Sequence, residues 1–360
     1  ERNDLARAGL AHLVVLLPEG MVQAADSLAV QGHAVADLAA PDAREAELPG
    51  MAGMHGMAHA SLTIDQSDLL ISFGMRFDDR VTGSLKDFAP NAKIVHVDID
   101  PSELGKNKKA DVAVVGDLKC VLQQLIPQVS ANVHIDWLRH IDQLKIEHPP
   151  FQIRETEHLL PQHVLRELSE ATKGGAIIVT GVGQHQMWAA QFCAFYEPNT
   201  LITSGGHGSM GFEVPAAIGA KFGRPDKTVW SIAGDGGFQM TMCDLATAVE
   251  NNIDVKFAIL NNGSLGMVYQ LQDLFFEKDY FATVYSGNPD FVKLAEAYGI
   301  TGIRVTQRSQ VADAIQQAME VPGPVIIDFV VKEIDNVYPM IPSGQSVSQM
   351  MEEPSTKREV

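Results

Sequence analysis

At 360 residues, 46% apolar and 20% charged, the chain has the composition of a globular protein, and its length suggests two domains. A formal net charge of −18 excludes a nucleic-acid binder working through a basic stripe, and no apolar run approaches the roughly 20 residues of a membrane-spanning helix. Cys120, Cys193 and Cys243 lie far apart with no C-x-x-C spacing, which suggests buried thiols in a reducing compartment; with no secretory leader at the start, the location expected is cytoplasmic.

In chain order, residues 12–17 form an apolar run stopped by Pro18, a predicted strand, and the Ala-rich stretch 24–40 predicts a helix with a weak pattern. Gly50, Gly53 and Gly56 make 50–56 a loop. Strands follow at 69–74, 93–101 and 112–115, and a helix at 118–126, the alternation of a doubly wound parallel sheet. Asp98 at a strand's end is the usual grip on ribose hydroxyls of a dinucleotide. Arg76 and Arg80 beyond the preceding strand offer charge-assisted bonds to phosphate or an anionic ring, or else form a surface salt-bridge cluster with Asp78 and Asp79. No Gly-x-Gly-x-x-Gly follows a strand here, which disfavours a standard nicotinamide site. Residues 128–158 look like a connection carrying one helix, 134–148, stopped by Pro149 and Pro150.

The second half opens with a helix at 160–171 and a strand at 176–180 that feeds Gly181-Val182-Gly183-Gln184-His185-Gln186. With the next helix at 187–195, Gln184 and His185 stand at its positive end, natural donors to a diphosphate; a capping or internally satisfied histidine is the ordinary alternative. Strand 201–203 ends in a loop holding Gly205, Gly206, Gly208 and Gly211, where backbone can pass close to a ligand, with Met210 as a bulky post that either packs in the core or props a ligand.

The central stretch begins with a buried strand at 228–232 running into Gly234-Asp235-Gly236-Gly237, then a helix with Met240, Leu245, Ala246 and Val249 near helical spacing. A second strand, 255–260, delivers Asn261-Asn262-Gly263. Helices at 267–275, 290–298 and 310–319 and strands at 303–305 and 325–331 complete a six-stranded α/β unit. The two central strand ends bring a carboxylate, Asp235, and a carboxamide, Asn262, to one sheet edge, where open α/β sheets bind ligands. With the main-chain carbonyl of Ser264 they offer hard oxygen ligands suited to Mg2+, while Gly-rich turns offer N–H groups to phosphate. The alternative is a pair of ordinary helix caps.

Gly234-Asp235-Gly236 followed by Asn261-Asn262 resembles the thiamine-diphosphate motif of that enzyme superfamily. Gly53-Met54-His55-Gly56, Arg76 through Gly83, Gly183 through Trp188, Gly266-Met267-Val268 and Val337 through Met340 narrow the likeness. In this order they resemble the catalytic subunits of the acetohydroxyacid synthases, also called acetolactate synthases, from about Pro49 to Met351. The resemblance implies two doubly wound parallel-sheet domains: an FAD-binding middle domain over 1–127, partial at its start, a linker over 128–158, a thiamine-diphosphate domain over 159–345 and a tail over 346–360.

By the same resemblance, Asp235, Asn262 and Ser264 would hold Mg2+. Gly183, Gln184, His185, Gly208, Gly234, Gly236, Gly237, Gly266 and Met267 would lie along the thiamine diphosphate, with Met210 imposing its bent conformation. Met54, His55, Gly74, Arg76, Asp78, Arg80, Val81, Asp98 and Asp117 would lie along FAD. The implied reaction joins two small 2-oxo acids with loss of CO2, pyruvate giving 2-acetolactate for branched-chain amino acid synthesis. Met267 and Leu271 would face the substrate. Leu271 stands where the family has a tryptophan, which suggests pyruvate rather than 2-oxobutyrate as second substrate. His207 and Glu213 replace a usual Leu and Gly. The activating glutamate belongs to an N-terminal domain that does not precede Glu1, so no catalytic residue is identified and the chain alone is expected to be inactive, needing a separate N-terminal domain. Family habit also implies a homo-oligomer and a possible regulatory subunit. The competing readings are a related decarboxylase or oxidase and a catalytically silent cofactor-binding module.

Overall fold

The computed structural model describes residues 51–129, 134–333 and 335–353, together with the backbone of two short strands at 13–16 and 35–36. It divides into two compact units, Glu1–Gln152 with Tyr338–Val360, and Ile153–Val337.

In the first unit β1 (Leu13–Leu16), β2 (Val35–Ala36), β3 (Leu69–Phe73), β4 (Lys93–Asp98) and β5 (Val112–Val115) form one parallel sheet in the order β2-β1-β3-β4-β5. The helix expected over 24–40 gives way at Val35–Ala36 to an edge strand paired with β1; the rest of that stretch lies outside the described residues. Helices α1 (Ala58–Asp65) and α2 (Asp79–Thr82) went unread in the sequence, α1 because it buries residues around most of its circumference and so shows little periodicity. Asp117 caps α3 (Leu118–Leu125) through the N–H of Cys120.

Helix α4 (Ile135–Glu147) puts Trp137 and Ile141 into the same core as Ile64, Leu70, Phe77 and Ile94. Residues 153–158 of the stretch expected as a linker fall in the second unit, but the helix that stretch carries is part of the first unit's packing. So is the chain after Val337: the Ile341 N–H donates to the Met54 carbonyl at 2.9 Å, and Met340 pairs with Met351.

The second unit holds β6 (Ile177–Thr180), β7 (Leu201–Thr203), β8 (Val229–Gly234), β9 (Val255–Asn261), β10 (Thr301–Val305) and β11 (Val325–Val330), all parallel in the order β10-β11-β9-β8-β6-β7. The central strands are apolar on both faces because each face carries helices: Trp230 and Ile327 pack in one cluster, Phe257 and Ile326 in the other. From β6 the chain runs out to β7 and then crosses back to β8 on β6's other side, so the direction of winding reverses between β6 and β8. Such a reversal leaves a crevice at the carboxyl ends of those two strands.

The helix expected to follow β8 is broken into α8 (Asp235–Thr241), a 3-10 turn at Met242–Asp244 and α9 (Leu245–Glu250). The break resets the helical phase: Phe238, Leu245 and Ala248 are buried, whereas Met240 and Val249 are exposed. Cys120 and Cys243 are also exposed rather than buried. Among the described residues no helix is long and apolar enough to cross a membrane.

Candidate cofactor site

Four turns of the second unit converge on the crevice. After β6, Gly183 at φ +147° turns the chain into α6 (Gln184–Phe192), which begins three residues earlier than the sequence pattern suggests. After β7 come Gly208 and Gly211, both at positive φ, flanking Met210. After β8 the strand passes directly into α8 at Asp235, and after β9 the chain turns through Asn262 and Gly263 into α10 (Gly266–Phe275). One pocket is lined by Gly183, Gln184, His185, Met210, Gly234, Asp235, Gly236, Gly237, Asn262, Ser264, Gly266 and Met267, with Val182, Leu265 and others. Of the second-unit residues singled out from sequence, Gly208 and Leu271 do not line it.

Asp235 is buried and makes the central contacts. Its Oδ1 accepts the Gly236 N–H at 2.8 Å; its Oδ2 accepts the Gly263 N–H at 2.8 Å and the Asn288 amide at 2.7 Å. One carboxylate thus ties the turn after β8 to the turn after β9. Burial pushes its pKa up to about 6, against the pull of those donors and with Asp328 adding to the rise. Asn262 Oδ1 accepts the Ser264 N–H at 3.2 Å, which draws the side chain back over the turn. The residue set offers a carboxylate, an amide oxygen and a main-chain carbonyl, and among the described residues no group of three or more His, Cys, Asp or Glu is arranged to hold a metal. Such an oxygen-only, partial shell suits Mg2+ completed by phosphate and water, and does not suit a zinc centre.

His185 is buried, and burial pushes its pKa down to about 4, so the imidazole is neutral with a single N–H to give. Its Nδ1 side faces the backbone of Gly234 and Gly183, where an added Cβ would lie 3.1 and 3.3 Å away. Gln184 behaves differently from the expected phosphate donor. Its amide N–H groups go to Gln270 Oε1 at 2.9 Å and the Asp335 carbonyl at 2.7 Å, and its Oε1 lies against Gly266. In this arrangement its side chain has no N–H left for a ligand.

Three residues of the site had no role assigned from the sequence. Asn288, which holds Asp235, and Tyr285, whose hydroxyl lies over Gly236, sit in a loop without periodicity. Glu213, noted in the sequence only as standing where the family has a glycine, opens α7 (Glu213–Gly223) with its carboxyl buried against Gly237 and Gly181.

The first unit also gathers its singled-out residues at the carboxyl ends of its strands. Gly74 at φ +65° follows β3, Asp98 ends β4, and Asp117 follows β5. Arg76 is paired with Asp78, which also caps α2 through the Arg80 N–H at 3.1 Å; Arg80 pairs with Asp79 at 3.4 Å. Met54 joins them by donating its N–H to the Arg80 carbonyl at 2.7 Å, which brings Val81 alongside. His55 bonds the Pro339 carbonyl at 3.0 Å, and burial pushes its pKa down to about 4.

A parallel sheet whose winding reverses over a buried acid, glycine turns and hard oxygen ligands defines a cofactor-diphosphate site of the doubly wound class. Comparison with known families agrees. Residues 181–329 match the thiamine pyrophosphate enzyme C-terminal TPP binding domain, and residues 33–125 match the central domain of the same enzymes. The chain belongs to the thiamine pyrophosphate enzymes, of which it carries the central and C-terminal domains.

Among individual proteins, it is similar to the acetolactate synthase of Mycobacterium leprae, at 46% identity over 85% of this chain and 51% of that protein. The acetolactate synthase large subunit of Corynebacterium glutamicum is likewise 46% identical, over 86% and 51% of the two chains. The acetolactate synthase isozyme 2 large subunit of Escherichia coli is 41% identical over 98% of this chain and 65% of its own length. The chain therefore spans about half to two-thirds of the curated relatives it matches.

Proposed function

We propose that the second unit's pocket takes the diphosphate of thiamine diphosphate through Mg2+, and that the protein to which these residues belong joins two 2-oxo acids with loss of CO2, pyruvate giving 2-acetolactate. The observation that carries this reading is the Asp235 carboxylate, buried at the winding reversal beside Asn262 and Ser264 with no cationic side chain paired to it among the described residues. Asp235, Asn262 Oδ1 and the Ser264 carbonyl would ligate Mg2+. The neutral His185 would give its one N–H to a phosphate oxygen, and Gly234, Gly236 and Gly237 let the anion approach the backbone. Met210, whose Cε lies near Gly236, would prop the cofactor. When bound, the cofactor supplies the electron sink that lets a 2-oxo acid lose CO2.

Met267 lines the pocket and Leu271 stands one helical turn further along α10. Leu271 does not itself line the pocket, and a leucine rather than an aromatic ring at that turn favours pyruvate as second substrate. In the first unit, Arg76 and Arg80 with Met54, His55, Gly74, Asp78, Val81, Asp98 and Asp117 would line FAD. The proposal extends to a cytoplasmic homo-oligomer in branched-chain amino acid synthesis. Because relatives are called large subunits, it also extends to a smaller regulatory partner. Turnover is expected only when an N-terminal domain with an activating glutamate is present.

The test is calorimetry of this chain with thiamine diphosphate and Mg2+. Saturable one-site binding that requires the metal is expected; heat unchanged by EDTA would remove the basis of the reading. Acetolactate measured from pyruvate, against acetaldehyde or acetyl phosphate, then separates condensation from simple decarboxylation and oxidation.

A further inference from the structure

Glu213 is fully buried, and neither carboxyl oxygen has a hydrogen-bond partner of good geometry among the described residues. It fills a slot that exists because two neighbours lack side chains. A Cβ added at Gly181 would collide with Oε2, and one at Gly237 would lie 2.6 Å from Oε1. The Gly181 position is also 2.8 Å from His185 Nε2, a second buried atom without a partner. An unsatisfied acid and an unsatisfied imidazole nitrogen therefore flank one point in the apolar interior; no hydrogen bond or ion pair joins them as placed, each is costly to leave unpaired, and a turn of the Glu213 carboxyl would bring them together.

Among the described residues, none of the titratable groups on the elements packed against α7 pairs with Glu213, and the helix Pro161–Thr172 packed against α6 brings His163, Arg166, Glu167 and Glu170, none of them bonded to His185 Nε2. β6 and β8, which pack on α7, contribute no ionisable side chain. β9 contributes Lys256, which is committed to the Val321 and Gly323 carbonyls, and α8 contributes Asp235, committed to Gly263 and Asn288. The 3-10 turn contributes Asp244, which is only half-buried, and no hydrogen bond joins it to Glu213.

We propose that Glu213 is a positioning residue for the diphosphate site: as the neutral acid it donates its O–H to His185 Nε2 and so keeps the imidazole proton on Nδ1, the nitrogen facing Gly234 and Gly183. This rests on the reading of the pocket given above. The pair shares one exchangeable proton. While it is present, Nδ1–H points toward the place an anion would occupy. Once it is lost, the carboxylate takes the Nε2–H, Nδ1 turns a bare lone pair to the anion, and a negative charge is added beside it. Burial favours the neutral arrangement, pushing Glu213 up to about 7 and His185 down to about 4; the Gly211 and Glu213 N–H groups oppose the first shift without forming well-aligned bonds.

The test has two readouts. In the cofactor-free chain at pH 6, nitrogen-15 NMR of histidine is expected to show His185 protonated on Nδ1. Glu213→Gln, whose amide can donate to Nε2, keeps that tautomer, and Glu213→Ala loses it. Calorimetry with Mg2+ and thiamine diphosphate is then run from pH 6 to 8.5. The wild type should weaken relative to Glu213→Gln by about tenfold per pH unit above about 7, as one linked proton requires. An Nε2–H tautomer in the wild type, or parallel pH profiles for the two proteins, overturns the inference; the NMR arm needs no variant to fold. Absence of cofactor binding at every pH with the Nδ1 tautomer intact would leave the pair standing and count against the function proposed for the pocket.

Discussion

Each sheet gathers its charged loop residues at the carboxyl ends of its own strands, and the two edges treat them in opposite ways. In the first unit the carboxylates are spent on local turns: Asp78 and Asp117 cap helices, and Asp98 accepts the Asp100 N–H at 2.9 Å. In the second unit Asp235, Glu213 and His185 are buried and shifted in pKa toward neutrality, and Glu213 Oε1 and Oε2 and His185 Nε2 have no well-formed hydrogen bond among the described residues. Folding alone explains the carboxylates of the first edge, where the shift by burial falls on His55. The second carries a cost that folding does not recover, and a ligand can.

If that contrast is right, the largest effect belongs to Asp235. Asp235→Asn should weaken thiamine diphosphate and Mg2+ binding at least about 100-fold, beyond the 10–100-fold of removing a residue that only orients a ligand. Its melting temperature at pH 8 should be no lower than wild type, because a buried charge has been removed. A large drop in Tm with binding retained would break the comparison.

Next comes the slot around Glu213. Gly181→Val drives a side chain into the Glu213 carboxyl and should cost about 3 kcal/mol in urea unfolding, the upper range for overpacking. The charge of Glu213 itself is read from pH. Its folded pKa, about 7 against 4.5, means the native state keeps a proton the unfolded chain gives up, so stability falls as pH rises from about 4.5 to about 7. His185 works the other way, adding stability as pH rises from about 4 to 6.5. The Tm difference between Glu213→Gln and wild type isolates the first effect and should widen as pH rises from about 4.5, levelling off above about 7.

At the first edge the effects should be small. Asp117→Ala removes one helix cap and should cost about 1 kcal/mol. Arg76→Ala breaks a half-exposed ion pair and should change stability by less than about 0.5 kcal/mol. A several-fold loss of FAD affinity in that same variant, measured by flavin fluorescence, would show that the edge is a binding surface despite its satisfied charges.

The strands were the most legible part of the sequence. The stretches 112–115 and 201–203 sit at the expected positions because each is a short apolar run bounded by turn residues. Asp235 and Asn262 were legible for the same reason, as the residues that end two such runs. Where burial surrounds a helix, as at Ala58–Asp65, period gives no signal, and where a helix breaks, as at Met242, the period misleads. Glu213 was opaque for a different cause. In the sequence it is an acid where the family has a glycine, and its meaning comes from Gly181 and His185, which only the folding of α7 onto β6 brings beside it.

The hydrogen bond from Gly263 to Asp235 has a wider reach than one turn. Asn288 bridges Asp235 to Asn261, Asn261 donates to Asp328, and Arg304 joins Asp328 to Asp290. A cation that draws on the Asp235 oxygens would tug the first link of this chain, and its grip would be felt as far as the outermost strand of the sheet. Occupancy of the pocket and stiffness of the 283–290 loop are then one variable, and amide exchange in that loop would register loading of the site without any chemistry being performed.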